Sequence, residues 1–162
     1  MKVVCLDTNV LIWGIKEEAE PGQENMIPRA KAFLQYLDEN HIPAVIPSVV
    51  LAEFLVRTPP ENHAEIIQKL EKSFIISMFD VGSSSSFANL WNKKNGIRKE
   101  DPVCTRDHMK IDLMVVATAI SAGLSSICSS DPHVIKAAEG LINCIDLPPY
   151  VAQLPLDMDK QS

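Results

Sequence analysis

Five short stretches of this 162-residue chain read as near-continuous apolar strands, and a helical segment separates each from the next. They are Lys2–Leu6 (KVVCL), Pro43–Pro47 (PAVIP), Phe74–Phe79, Ser126–Ser129 (SICS) and Leu141–Ile145. A strand with one wet face alternates apolar and polar residues, so unbroken apolarity requires cover on both faces. Parallel sheets meet that condition, because the crossover helices that connect their strands lie on the two faces. The expected fold is therefore a three-layer α/β/α sandwich around a central parallel sheet of about five strands.

The intervening helices are expected at Val10–Ile15, Arg29–Asn40, Ser48 to Arg57, Ala64–Lys72, Val81–Asn92, Asp112–Ala122 and Pro132 to Glu139. Ala30, Phe33, Leu34 and Leu37, for example, recur at helical spacing. Ser48 is expected to cap the helix it begins, and Asp112 to open the strongly apolar helix that Gly123 closes. Lys16–Pro28 is polar with Pro and Gly, hence a loop. The length suits one domain, expected over residues 1–146, with a Pro-rich tail at 147–162 wrapping the surface.

Composition narrows the function classes. Hydrophobic residues make up 46% and charged residues 22%, which excludes wholesale disorder. The apolar runs fall far short of the about 20 residues a membrane span needs, and the first residues do not form a secretory signal. Cys5, Cys104, Cys128 and Cys144 are scattered without a CxxC pair, as expected for reduced thiols of a cytoplasmic protein. With 15 Lys and Arg against 21 Asp and Glu, the net charge of −6 argues against a strongly basic nucleic-acid module. It does not exclude an enzyme whose site is itself acidic.

The acids fall in a pattern. In an open parallel sheet, ligands bind beyond the carboxyl ends of the strands, where strand order reverses. Asp7 lies one residue past the first strand and Asp131 two past the fourth. Glu53 lies in the helix after the second strand. Asp112 heads the helix that feeds the fourth, which places it at the same rim. Four carboxylates in one cleft repel one another and keep their charge only with cations or protons between them. Oxygen-only ligands favour hard ions such as Mg²⁺ or Mn²⁺, and no His or Cys cluster suggests zinc. Without these four charges the net of −6 becomes −2. Held in this way, a divalent ion activates water and neutralises phosphoryl charge, so hydrolysis of a phosphate ester is the chemistry implied. Taken singly, Asp7, Asp112 and Asp131 would be explained as helix caps. Glu53 resists that account, because it interrupts the apolar helix Val49–Val56 (VVLAEFLV), where an unpaired buried carboxylate is costly.

These same residues resemble the motifs of PIN-domain nucleases. Leu6–Leu11 (LDTNVL) is similar to the opening of that family, and Pro47–Phe54 (PSVVLAEF) to its second acidic motif. Ile111–Ala119 (IDLMVVATA) and Ile127–Asp131 (ICSSD) resemble its third and fourth. The resemblance implies strand order 3-2-1-4-5 and metal-dependent cleavage of single-stranded RNA, with Asp7, Glu53, Asp112 and Asp131 binding Mg²⁺ or Mn²⁺. It also implies support from the hydroxyls of Thr8 or Ser129, for which capping is the alternative reading. The toxin of a toxin–antitoxin pair is one role such a nuclease takes, with an antitoxin protein as partner. Many relatives follow the fourth acid with another acid and an aromatic residue, where this chain has His133 and Val134. His133 is either a phosphate contact or a solvent-facing helix residue.

Residues 93–110 carry six basic side chains against three acids, and Lys110 and Arg106 are the expected guides for an RNA backbone. Leu11, Ile12 and Trp13 suit the core, or else a homodimer seam. Two other functions compete. A haloacid-dehalogenase-like phosphatase needs a second acid two residues after the first, where Asn9 stands. A catalytically silent PIN-like module that binds RNA or a protein is the alternative from another class, against which the retention of all four acids argues.

Overall fold

The computed structural model describes residues 3–94 and 106–149. Val4–Leu6 is β1, and Thr8–Leu11 is α1, which Ile12–Lys16 continues as a wider π-type turn. The remaining helices are α2 (Met26–Glu39), α3 (Ser48–Val56), α4 (His63–Ser73), α5 (Val81–Lys94), α6 (Arg106–Ser121) and α7 (Pro132–Ala138). The remaining strands are β2 (Ala44–Pro47), β3 (Ile75–Ser77), β4 (Ser126–Cys128) and β5 (Asn143–Ile145). A short 3-10 turn at Pro60–Asn62 precedes α4.

All strand pairs are parallel, in the order β3-β2-β1-β4-β5. The three central strands are buried throughout and the two edge strands only in part. That gradient is why β1 and β2 read so plainly as apolar runs: both of their faces are covered. One face packs α1, α2, α3 and Leu70 of α4 against Val4, Leu6 and Ile46. The other packs α6, α7 and Leu90 of α5 against Cys5 and Ile127. Leu11, Ile12 and Trp13 are buried within the first of these cores. No helix among the described residues is long and apolar enough to cross a membrane.

Three local expectations change. Ser48 does not cap α3. Its hydroxyl accepts from the Phe79 N–H at 3.0 Å, tying the start of α3 to the chain that leaves β3. Asp112 does not open its helix, because α6 begins at Arg106 and places Asp112 in its second turn. The leading turn, Arg106–Lys110, is mostly polar and carries little of the apolar periodicity by which a helix is recognised. Leu147, assigned above to a tail, is buried in the core. Arg29 of α2 holds this exit from β5 through Asp146 at 3.3 Å, through the Pro148 carbonyl at 3.1 Å, and through the Leu147 carbonyl. Residues 150–162 lie outside the described residues.

Strand order reverses between β1 and β4, and the crevice of an open parallel sheet lies at that reversal.

Candidate active site

Asp7 follows β1 and sits at the bottom of the crevice, only 5% exposed. It caps α1, its Oδ1 accepting from the Thr8 N–H at 2.8 Å. Its Oδ2 accepts from the Ser129 hydroxyl at 2.6 Å, and that hydroxyl in turn accepts from the Asp131 N–H at 3.0 Å. Asp7, Ser129 and Asp131 thus form one hydrogen-bonded chain across the β1–β4 gap. Burial pushes the Asp7 carboxyl up to about 6, against the pull of the Ser129 and Thr8 donors and with the aid of the Asp131 and Glu53 charges.

Glu53 enters from α3. Its Oε2 accepts from the Thr8 hydroxyl at 2.6 Å, so Thr8 joins the helix after β1 to the helix after β2. Just beyond Glu53, Lys16 secures the end of α3. Its Nζ donates to the carbonyls of Phe54 at 2.8 Å and Arg57 at 3.1 Å, and lies 4.3 Å from the centre of the Phe54 ring. Carbonyls at a helix C-terminus lack intrahelical partners, and a cation there meets both that need and the helix dipole. Burial holds the Lys16 ammonium below its ordinary range, with Glu18 opposing that shift and Arg57 adding to it.

Asp131 is the N-cap of α7, its Oδ1 accepting from the His133 N–H at 2.7 Å, with Pro132 in the first helical position. The neighbouring Ser130 hydroxyl donates to Asp146, so the Ser129–Asp131 turn is held from two sides. Asp112 faces the same space from α6. Burial pushes its carboxyl up to about 8, and the charges of Asp131, Asp7 and Glu53 add to that. Neighbouring charges raise a carboxyl in this way only when they lie near enough to act on it.

Asp7, Glu53, Asp112 and Asp131 all line one cleft of about 340 Å³, together with Thr8, Asn9 and Arg57. An outer lobe of about 530 Å³ shares Glu53, Asp112, Asp131 and Arg57 and adds Trp13, Glu18, Glu20, Gln23 and His133. Among the described residues no three acid, His or Cys side chains are grouped closely enough to hold one metal ion as they stand. The acids ring the cleft, as like charges do, while their donor set of oxygens alone is the kind that suits a hard dication.

Lys110 lies in α6 two residues before Asp112. The side chain of Arg106, and most of the basic stretch around it, fall outside the described residues. His133 is half-buried and lines the outer lobe. Sequence reasoning passed over Arg57, Glu18, Glu20 and Gln23. Arg57 left a signal, since it stands four residues after Glu53 and so shares that side of α3. The other three sit in a loop with no periodicity to read.

A parallel α/β sandwich that brings acids from four separate segments to line one cleft at its topological switch point defines the class of protein. The PIN domain family model matches residues 4–140, and the chain belongs to the PIN-domain family. No curated protein matches the sequence. Among solved structures, the DNA-bound VapBC of Salmonella typhimurium is similar in fold, with a TM-score of 0.63 at 20% identity over 91% of this chain and 100% of that one. VapBC2 of Rickettsia felis, bound to a DNA fragment from its promoter, gives 0.62 at 16% identity over 89% and 98%.

Proposed function

We propose that this chain is a divalent-metal-dependent endoribonuclease that hydrolyses phosphodiester bonds of single-stranded RNA and serves as the toxin of a toxin–antitoxin pair in the cytoplasm. The observation that carries the reading is the shared cleft: Asp7, Glu53, Asp112 and Asp131 line it from four segments, and burial with the neighbouring acid charges pushes the Asp7 and Asp112 carboxyls up. Such a concentration of negative charge favours a counter-cation over burial alone. The oxygen-only donor set suits Mg²⁺ or Mn²⁺, with the four acids as its holders. When bound, such an ion lowers the pKa of a water molecule and neutralises phosphoryl charge.

The chain's own groups orient the acids. Ser129 fixes one oxygen of Asp7 and leaves the Thr8 N–H on the other. The Thr8 hydroxyl holds Glu53, and the His133 N–H holds Asp131. Lys110 and Arg106 are proposed to guide the RNA backbone toward the cleft from the α6 side. An antitoxin partner is proposed from the fold shared with VapBC proteins. One observation favours the alternative of a silent RNA- or protein-binding module: the acids do not converge on one point as they stand.

Cleavage of a labelled single-stranded RNA in Mn²⁺ separates the two readings. The parent chain is expected to cleave, EDTA to stop it, and Asp112→Asn to lower the rate by about a hundredfold or more. Equal cleavage by the variant overturns the assignment, and absence of metal-dependent cleavage by the parent favours the silent module.

A further inference from the structure

We propose that Arg57 is the seat for a phosphate of the bound strand other than the one being cleaved, an inference that rests on the nuclease reading above. Arg57 lines both the acid cleft and its outer lobe, so it stands where the two spaces join. The other ionisable groups that line these spaces are His133 and the acids Asp7, Glu18, Glu20, Glu53, Asp112 and Asp131. A polyanionic strand crossing such a surface is repelled along most of it, so the position of a cation decides the route it takes.

The guanidinium is available for that work. Among the described residues no carboxylate lies within ion-pair distance of it, although the residue borders a cleft full of acids. Its charge reaches Lys16, whose ammonium it disfavours, though burial and the opposing Glu18 charge act on that ammonium more strongly.

Its backbone is also held. Arg57 is the C-cap of α3, and Lys16 Nζ holds its carbonyl oxygen at 3.1 Å and that of Phe54 at 2.8 Å. Glu53 stands one helical turn earlier on the same side. The acid and the arginine are therefore carried by the same helix, one turn apart. A planar guanidinium takes two phosphate oxygens in parallel hydrogen bonds, which an ammonium does not, so an arginine at this place also sets the strand's orientation.

The test compares the parent with Arg57→Gln and Arg57→Lys on a fluorescein-labelled 12-nucleotide single-stranded RNA. Cleavage is followed in Mn²⁺, and binding by anisotropy in an Asp112→Asn background between 50 and 200 mM salt. Arg57→Gln is expected to raise KM about tenfold with kcat within twofold. It is also expected to make the slope of log Kd against log salt shallower by about 0.7, the value for one phosphate contact on a single strand. Arg57→Lys should recover the salt slope and only part of the KM. Unchanged KM and salt slope overturn the seat, as does a loss confined to kcat. A lowered melting temperature in Arg57→Gln with full recovery in Arg57→Lys overturns it as well, since that pattern marks a merely structural charge. Retained RNA binding with lost binding of a labelled octaglutamate peptide overturns it in favour of an acidic protein partner. If the parent binds RNA with this dependence on Arg57 but never cleaves it, the seat stands and the nuclease reading falls.

Discussion

Asp7 and Asp112 face the same cleft, both pushed up by burial, but with different donors. Asp7 is the more deeply buried of the two, yet Asp112 is the one pushed further, to about 8 against about 6. The difference lies in the donors. Asp7 follows a strand, where the Thr8 N–H and the Ser129 hydroxyl converge on its two oxygens. Asp112 projects from within a helix, where every nearby backbone N–H is already engaged, and among the described residues nothing donates to its carboxylate. Hydrogen bonds to the charged form offset part of the penalty of burial at Asp7, and none does so at Asp112. The strand side of the site holds its charge ready, and the helix side requires a cation or a proton.

The largest expected effect that tests this contrast is in the pH dependence of metal-free stability. Both carboxyls bind their proton more tightly folded than unfolded, where the ordinary value is about 3.9. Between that value and the folded one, the native state carries more protons, so stability falls as pH rises. Thermal melts in EDTA should therefore show a melting temperature that declines from about pH 5 to about pH 8.5. Asp112→Asn should flatten the part of that decline above pH 6 and be more stable than the parent at pH 8. An unchanged slope in the variant would mean that Asp112 titrates as an ordinary surface acid.

A smaller effect is expected at the other pole. Ser129→Ala removes one of the two donors on Asp7 and should destabilise the chain by about 1–3 kcal/mol at pH 8. The cost should shrink at pH 5, where Asp7 is protonated. Urea titrations at the two pH values check it, and an equal cost at both would show that the hydroxyl serves packing rather than charge. Smaller still is Lys16→Met, expected to cost about 1 kcal/mol by removing the ammonium from the Phe54 and Arg57 carbonyls, of which the first keeps the Thr58 hydroxyl, while leaving the Asp7 network alone. The same urea titration, combined with Ser129→Ala, should give additive losses if the two sides of the cleft are independent.

The contrast also explains what could be read in advance. β1, β2 and β4 were plain as apolar runs because both of their faces are covered, and the layer order followed from them. Glu53 was conspicuous as a carboxylate inside an otherwise apolar helix, and Asp7 and Asp131 lay where strands end. The harder features all depend on contacts distant in sequence. Ser48 looked like a local cap, but its partner is Phe79, 31 residues away. Lys16 sat in an unpatterned polar stretch, and nothing local shows that its ammonium closes a helix 38 residues further on. The start of α6 is hidden in the sequence because its first turn is polar, which makes Asp112 look like a terminus although it is an interior residue.

The fastening around Asp146 has a mechanical consequence. Its carboxylate receives Ser130 on one side and Arg29 on the other, and Arg29 also grips the next two carbonyls. Tension applied along the chain beyond Pro149 would be shared between α2 and the Asp131 turn before any strand of the sheet felt it. A fusion or a docked protein pulling there would have a direct lever on the geometry of one acid.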